Sequence, residues 1–198
     1  KGSGGAGQAG FEVHSRSLGR LRGLVNRQID WHSARKQKER PMSKSLRRVT
    51  EAMAAAGLSG QPVEMPGDTR TASEAAAAVG CALDQIAKSI IFCGERSGEA
   101  VLFLTAGGNQ VDLAKASALA GEPLGRADAA LVRAQTGFAI GGVSPIGHLT
   151  PIRAFLDPRL CAFTEIWAAA GTPRHVFPLS PHDLERVTGA ILADFTND

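Results

Sequence analysis

Apolar residues recur at helical spacing in SKSLRRVTEAMAAAG, where Leu46, Val49 and Met53 share one stripe and Gly57 ends it. QPVEM then reads as a short strand. TASEAAAAVG predicts a second helix, with Thr71 as N-cap, Glu74 completing a capping box and Gly80 as its stop. One further helical turn is expected in LDQIAK. Two nearly continuous apolar runs, KSIIFCG and EAVLFLTA, flank the turn Glu95-Arg96-Ser97-Gly98 and read as strands buried on both faces. The helical period returns in VDLAKASALAG, with Leu113, Ala116, Leu119 and Ala120 facing the core. It returns again in RADAALVRAQTG, capped near Asp128 and stopped at Gly137. GFAIGGVSPIGHLTPI reads as strand, glycine turn, strand, and RAFLD, FTEIWAAAG and HVFPL as three more short strands. The closing helix, SPHDLERVTGA, has Ser180 as N-cap, Pro181 at its first position and Asp183 in its first turn. Strands outnumber those of a repeated strand–helix unit, so the expected fold is a single α/β domain with a mixed sheet and helices packed around it.

Composition narrows the class. With 198 residues, 43% hydrophobic and 21% charged, the chain suits a globular domain with a substantial core. No apolar run approaches the roughly 20 residues of a membrane span, and no signal-peptide pattern is visible. Three scattered cysteines (Cys81, Cys93, Cys161) fit reduced thiols in the cytoplasm. Charge is divided unevenly. Residues 1–48 hold 12 Lys and Arg against three acids, net +9, whereas the other 150 residues carry −6. Residues 1–41 therefore read as a disordered basic extension ahead of a domain spanning 42–198. Met42 is the expected native start, with a tag or translated upstream sequence before it; a basic arm that grips RNA is the alternative.

Candidate chemistry gathers in three places. Lys88 opens a strand whose same-face neighbours are Ile90 and Phe92. Its ammonium either reaches water at the strand end or lies in a pocket, where it would bind a phosphate or carboxyl oxygen or polarise a carbonyl. GGVSPIGH, residues 141–148, is either a bulged turn fixed by Pro145 or a set of exposed amides able to hold an anion. AGTPRHVFPLS, residues 170–180, places His175 after Gly171 and Pro173, either as a general base or orienting group or as a hydrogen-bonded loop histidine. His14, His32, His148 and His182 lack metal-ligand spacing, and no phosphate-loop or dinucleotide motif occurs, so no metal and no cofactor are expected. Ser144 lacks a nucleophile elbow, and Cys93 and Cys161 lie in apolar contexts that favour inert, buried thiols. Aromatic residues are not interleaved with Lys and Arg, which gives no stacking platform for nucleic acid; DNA is not an expected partner.

Four passages in order resemble the YbaK/prolyl-tRNA-synthetase-associated domain family of free-standing aminoacyl-tRNA editing enzymes. They are TASEAAAAVGCALDQIAKSIIF, TAGGNQVDLAKASALAG, TGFAIGGVSPIGH and FTEIWAAAGTPRHVFPLSPHDLERVTGA, spanning about Thr71 to Ala190. The resemblance implies a mostly antiparallel, barrel-like sheet. It also implies hydrolysis of the ester joining a wrong amino acid to tRNA, commonly tRNA for proline. Mischarged aminoacyl-tRNA is the implied substrate, and prolyl-tRNA synthetase is a candidate partner. The family's marker lysine falls on Lys88, and Gly142 falls where the backbone approaches the aminoacyl group. Ile146-Gly147-His148 stands where relatives often carry Gln or Lys after the loop, and AGTPRHVFPL departs from the GGKRGL type of Cys-tRNA deacylases; together these point to alanine or a similarly small residue as the one removed. By the same resemblance the amides of Gly141–Val143 would stabilise the oxyanion, with Lys88 on the terminal phosphate or ester. The substrate's ribose hydroxyl would orient water, and His175 would assist. Ile90, Phe92 and Phe103 would line the small pocket, with Ser144, Pro145, Gly147 and Gly171 as further substrate contacts. Two other readings stay open: a non-catalytic module that binds tRNA or a synthetase, and a thiol hydrolase using Cys93 or Cys161.

Overall fold

Side-chain caps delimit the helices. A computed structural model describes residues 42–67 and 71–197, so the expectations for residues 1–41 lie outside the described residues. Helix α1 (Lys44–Ala55) starts where Ser43 Oγ accepts from the Leu46 amide, and it buries Leu46, Val49 and Met53. Helix α2 (Ala72–Val79) has the expected Thr71–Glu74 capping box and ends on left-handed Gly80. Asp112 caps α3 (Leu113–Ala120), Asp128 caps α4 (Ala129–Thr136) and Ser180 caps α5 (Pro181–Thr188). Ala116 and Ala120 of α3 face the core, but Leu113 is 47% exposed at the helix's solvent-facing start. Among the described residues no helix is long and apolar enough to cross a membrane.

Among the described residues eight strands form one mixed sheet: β1 (Val63–Glu64), β2 (Ile86–Gly94), β3 (Ala100–Ala106), β4 (Leu124–Arg126), β5 (Arg153–Leu156), β6 (Ile166–Ala169), β7 (His175–Leu179) and β8 (Ile191–Leu192). Their order is β1-β7-β6-β2-β3-β5-β8, with β4 also on β2. Four pairings are antiparallel (β1–β7, β2–β3, β2–β4, β6–β7) and three parallel (β2–β6, β3–β5, β5–β8). The path keeps two ends, at β1 and β8, so the barrel likeness stops short of closure among the described strands. Strand β3 is buried throughout. Its Leu102, Leu104 and Ala106 belong to the core that also takes in α1 and α5, while Val101 and Phe103 alternate into a second cluster with Phe155 and Phe195. Strand β2 is buried only at its ends and half-buried between.

Three expected elements change. The helical turn in LDQIAK stops at Gln85, and Ile86 already begins β2, so Lys88 is its third residue. GFAIGGVSPIGHLTPI contains no strand. Phe138, Val143, Ser144 and Ile146 are buried there in a folded loop. The loop satisfies its backbone by turns and side chains: the Gly142 amide donates to Ala139 O at 3.0 Å, and Arg48 Nε donates to Gly147 O at 2.7 Å. Apolar content marked burial, not extension. Finally, β4 and β8 add two short strands that no periodicity announced.

Candidate functional site

The outer edge of β2 is interrupted. Strand β6 pairs with it at Ile86 and Ala87, and β4 at Phe92, Cys93 and Gly94, so, among the described residues, 88–91 carry no ladder on that side. A cavity of about 300 Å³ opens at this gap. Its walls come from β2 (Ile86 to Ile90), α2 with its cap (Thr71, Ala72, Ala75), the glycine loop (Ile140, Gly141, Val143), Trp167 and Ala169 of β6, and the passage from Thr172 to Val176.

Lys88 contributes the cavity's cation. Its Nζ donates to the Asn109 carbonyl at 2.5 Å, on the sheet face it shares with its cross-strand partner Thr105. Burial pulls its pKa below the usual lysine value, and the charges of Asp157 and Asp84 work against that fall. Asn109 closes a turn after β3, its amide donating to Ala106 O. The turn is held from behind by Asp157, whose Oδ2 accepts from Ala106 N (3.0 Å) and Asn109 Nδ2 (2.8 Å).

Opposite lies the glycine loop. Gly141 takes a φ of +88°, a left-handed conformation. At Gly142 any Cβ would lie 2.7 Å from the Thr172 carbonyl carbon, so the two loops pack backbone to backbone. The amides of Gly141 and Val143 have no acceptor among the described residues, whereas that of Gly142 is spent on Ala139. His175 closes the wall. Its Nδ1 lies 2.6 Å from Thr172 Oγ1, which also accepts from the Arg174 amide at 3.3 Å. The short contact fixes the orientation of the imidazole ring against the loop. Burial lowers the His175 pKa, offset by Glu64 and reinforced by Arg174.

Of the residues singled out by sequence, Lys88, Ile90, Gly141, Val143 and His175 meet at this cavity. The others do not line it. Gly142 packs behind Gly141. Phe92 and Phe103 turn into the aromatic cluster, 5.8 Å apart, with Phe103 stacked on Phe155 at 5.1 Å. Ser144 is fully buried, its Oγ accepting from the Ile146 amide. Gly171 is wedged against Ser45 O and the Phe138 ring. Pro145 and Gly147 line a different cavity of about 390 Å³, whose one titratable side chain, His148, is bound to Ser144 O at 2.7 Å. That larger space offers no cation, so the smaller cavity is the better candidate. Cys161 is exposed, not buried, and neither it nor Cys93 reaches either cavity. Among the described residues no three His, Cys, Asp or Glu side chains converge to hold a metal ion. Sequence reading missed Trp167, Thr172, Asn109 and Asp157. Only Asp157 carried a local signal, as an Asp-Pro pair closing an apolar run.

Comparisons with known proteins identify the family of the chain. Residues 66–187 match the model of the aminoacyl-tRNA editing domain, a span that includes every residue of the cavity except Met65. A solved structure of a candidate trans-editing enzyme for prolyl tRNA synthetase is 49% identical, with a TM-score of 0.75 over 79% of this chain and 99% of that one. The hypothetical protein APE2540 is 29% identical, with a TM-score of 0.70 over 76% of this chain and 99% of its own. YwhH of Bacillus subtilis (strain 168) is 31% identical over 121 residues, 61% of this chain and 76% of that protein.

Proposed function

Since the chain belongs to the aminoacyl-tRNA editing domain family, we propose that residues 42–198 form a trans-acting deacylase of mischarged aminoacyl-tRNA. The substrate on this reading is tRNA for proline carrying alanine or another residue as small. The observation that carries it is that Lys88, Gly141 and Val143 line one cavity of about 300 Å³, the last two with amides that have no acceptor among the described residues.

An aminoacyl ester is already activated, so positioning and oxyanion stabilisation supply most of what hydrolysis needs. Water adds to the ester carbonyl, and the resulting oxyanion is met by the Gly141 and Val143 amides. The C–O bond to the ribose then breaks, the ribose oxygen takes a proton, and free amino acid departs. Lys88 holds the terminal phosphate or the ester oxygen. The neighbouring ribose hydroxyl orients the water, and His175, its pKa lowered by burial and its ring held by Thr172, assists from the polar wall. Selection is by size: sterics separate side chains by only about 1–3 kcal/mol per methylene, enough to exclude proline but little to separate alanine from its nearest homologues. Residues 42–198 carry 13 Lys and Arg against 16 acids, net −3, a weak intrinsic grip on RNA, which favours delivery of the tRNA by a partner such as prolyl-tRNA synthetase.

The test is a deacylation panel of Ala-, Ser-, Cys- and Pro-tRNA with purified protein. Release of alanine ahead of the others, with proline retained, is the expected outcome. Release of proline at a comparable rate would contradict the size-exclusion reading, and no release from any of them would leave a binding module.

A further inference from the structure

We propose that Asp157 is the positioning residue of Lys88: from beneath the cavity it holds the turn from Ala106 to Asn109, whose last carbonyl receives the lysine ammonium. The inference rests on the reading of Lys88 as the cavity's working cation. Asp157 follows β5 directly and is only 2% exposed. Its three bonds all run to N–H groups: Ala106 N and Asn109 Nδ2 on one oxygen, Arg159 N at 2.9 Å on the other. A buried carboxylate is costly unless it is hydrogen-bonded and its charge is used. Among the described residues Asp157 makes no direct ion pair, and the cation its charge acts on is Lys88.

The turn itself is shaped for this arrangement. Gly107 has no room for a Cβ, which would lie 2.1 Å from Leu83 O, so the backbone passes directly beneath the short helical turn Leu83–Gln85. There Asp84 Oδ1 accepts from the Gly108 amide at 3.0 Å, and its other oxygen accepts from Arg159 Nε at 2.9 Å. Thr105 Oγ1, buried beside Lys88, lies 3.4 Å from the same Asn109 carbonyl. Lys88 thus faces a carbonyl whose position is set by two carboxylates from two different elements. Asp84 has its charge answered by Arg159; Asp157 does not. Among the described residues, Asp157 and Asp84 are the charges that act on the ammonium, and His175 is the other titratable side chain of the cavity lining. Burial and the two carboxylates oppose each other on Lys88, so removing the Asp157 charge leaves burial less opposed, and the ammonium loses its proton at lower pH.

The experiment titrates Lys88 directly in the full chain labelled with ¹³Cε,¹⁵Nζ-lysine, its signal identified by loss in Lys88→Met. In Asp157→Asn the Lys88 midpoint is expected to fall by about one pH unit. In Asn109→Ala, which cuts one of the two bonds from Asp157 to the turn and leaves the Ala106 amide bound, it falls by less. The alkaline limb of the deacylation profile on Ala-tRNA moves the same way, and the neutral-pH rate drops about tenfold with little change in KM. If the carboxylate served folding alone, Asp157→Asn would lower the melting temperature and leave the midpoint in place. Unchanged midpoints in the folded variants would overturn the proposal, and Asn109→Ala decides alone if Asp157→Asn fails to fold. Because the titration needs no substrate, wild type inactive on every aminoacyl-tRNA would refute the deacylase reading while the Lys88 midpoints still decide this one.

Discussion

Gly142 and Thr172 meet backbone to backbone, with no space between them for even a methyl group. The contact fastens the loop carrying Gly141 and Val143 to the loop that leads into His175, so two walls of one cavity share a single hinge of contact. Gly142→Ala places a Cβ against backbone atoms that cannot swing aside. It should lower stability by about 1–3 kcal/mol, the usual cost of overpacking. Among molecules that remain folded, deacylation should fall more than tenfold, because the two amides move. Thermal melts and single-turnover rates on the same preparation check this, and a folded variant with unchanged rate would mean that the contact does not set the site.

Ile90 and Phe103 stand directly opposite each other across β2 and β3, yet only Ile90 borders the cavity. Ile90→Ala should therefore change which amino acids are removed, admitting bulkier ones by about 10- to 200-fold in relative rate. Phe103→Leu should cost about 1–3 kcal/mol of stability by loosening the aromatic cluster and leave relative selectivity alone. Competition assays between Ala-tRNA and Pro-tRNA separate the two effects.

Stability should decline as the solution is made mildly acidic. Burial, with Arg48 adding to it, holds the His148 pKa below the ordinary value of about 6.5 despite its bond to Ser144 O. Between that ordinary value and the lower folded one, the unfolded chain binds more protons than the folded chain, so stability falls with pH through this window. His175 contributes with the same sign. The carboxylates held below their usual range, Asp183 and Asp194 among them, act only at lower pH. His148→Gln should flatten the decline without abolishing it. Chemical denaturation at a series of pH values from 7 downward measures it, and parallel curves for variant and wild type would contradict the assignment.

Local chemistry explains what was legible. The Thr71–Glu74 box, the Asp128 cap and the Ser180–Pro181 start all act within one helical turn, so the sequence displays them whole. Lys88 was conspicuous as a charge heading an apolar run. The segment from Phe138 to Ile146 has the apolar content of a strand, but a glycine- and proline-rich loop buries such residues equally well. Strands of two or three residues, such as β8 and β4, are too short to show a period. Asp157 stayed hidden for another reason: its partners Asn109 and Ala106 lie 48 and 51 residues away, and only the completed fold brings them together. The interrupted edge of β2, which makes the cavity, likewise depends on where two distant strands stop pairing.

The most direct measurement is release of alanine from Ala-tRNA for proline, with protein well below substrate, comparing wild type with Lys88→Ala. Wild type should release many alanines per molecule, and Lys88→Ala should be slower by about 100-fold or more, the scale of losing a preorganised charge contact. At most one alanine released per wild-type molecule, or equal rates for the two proteins, would contradict a deacylase that works through Lys88.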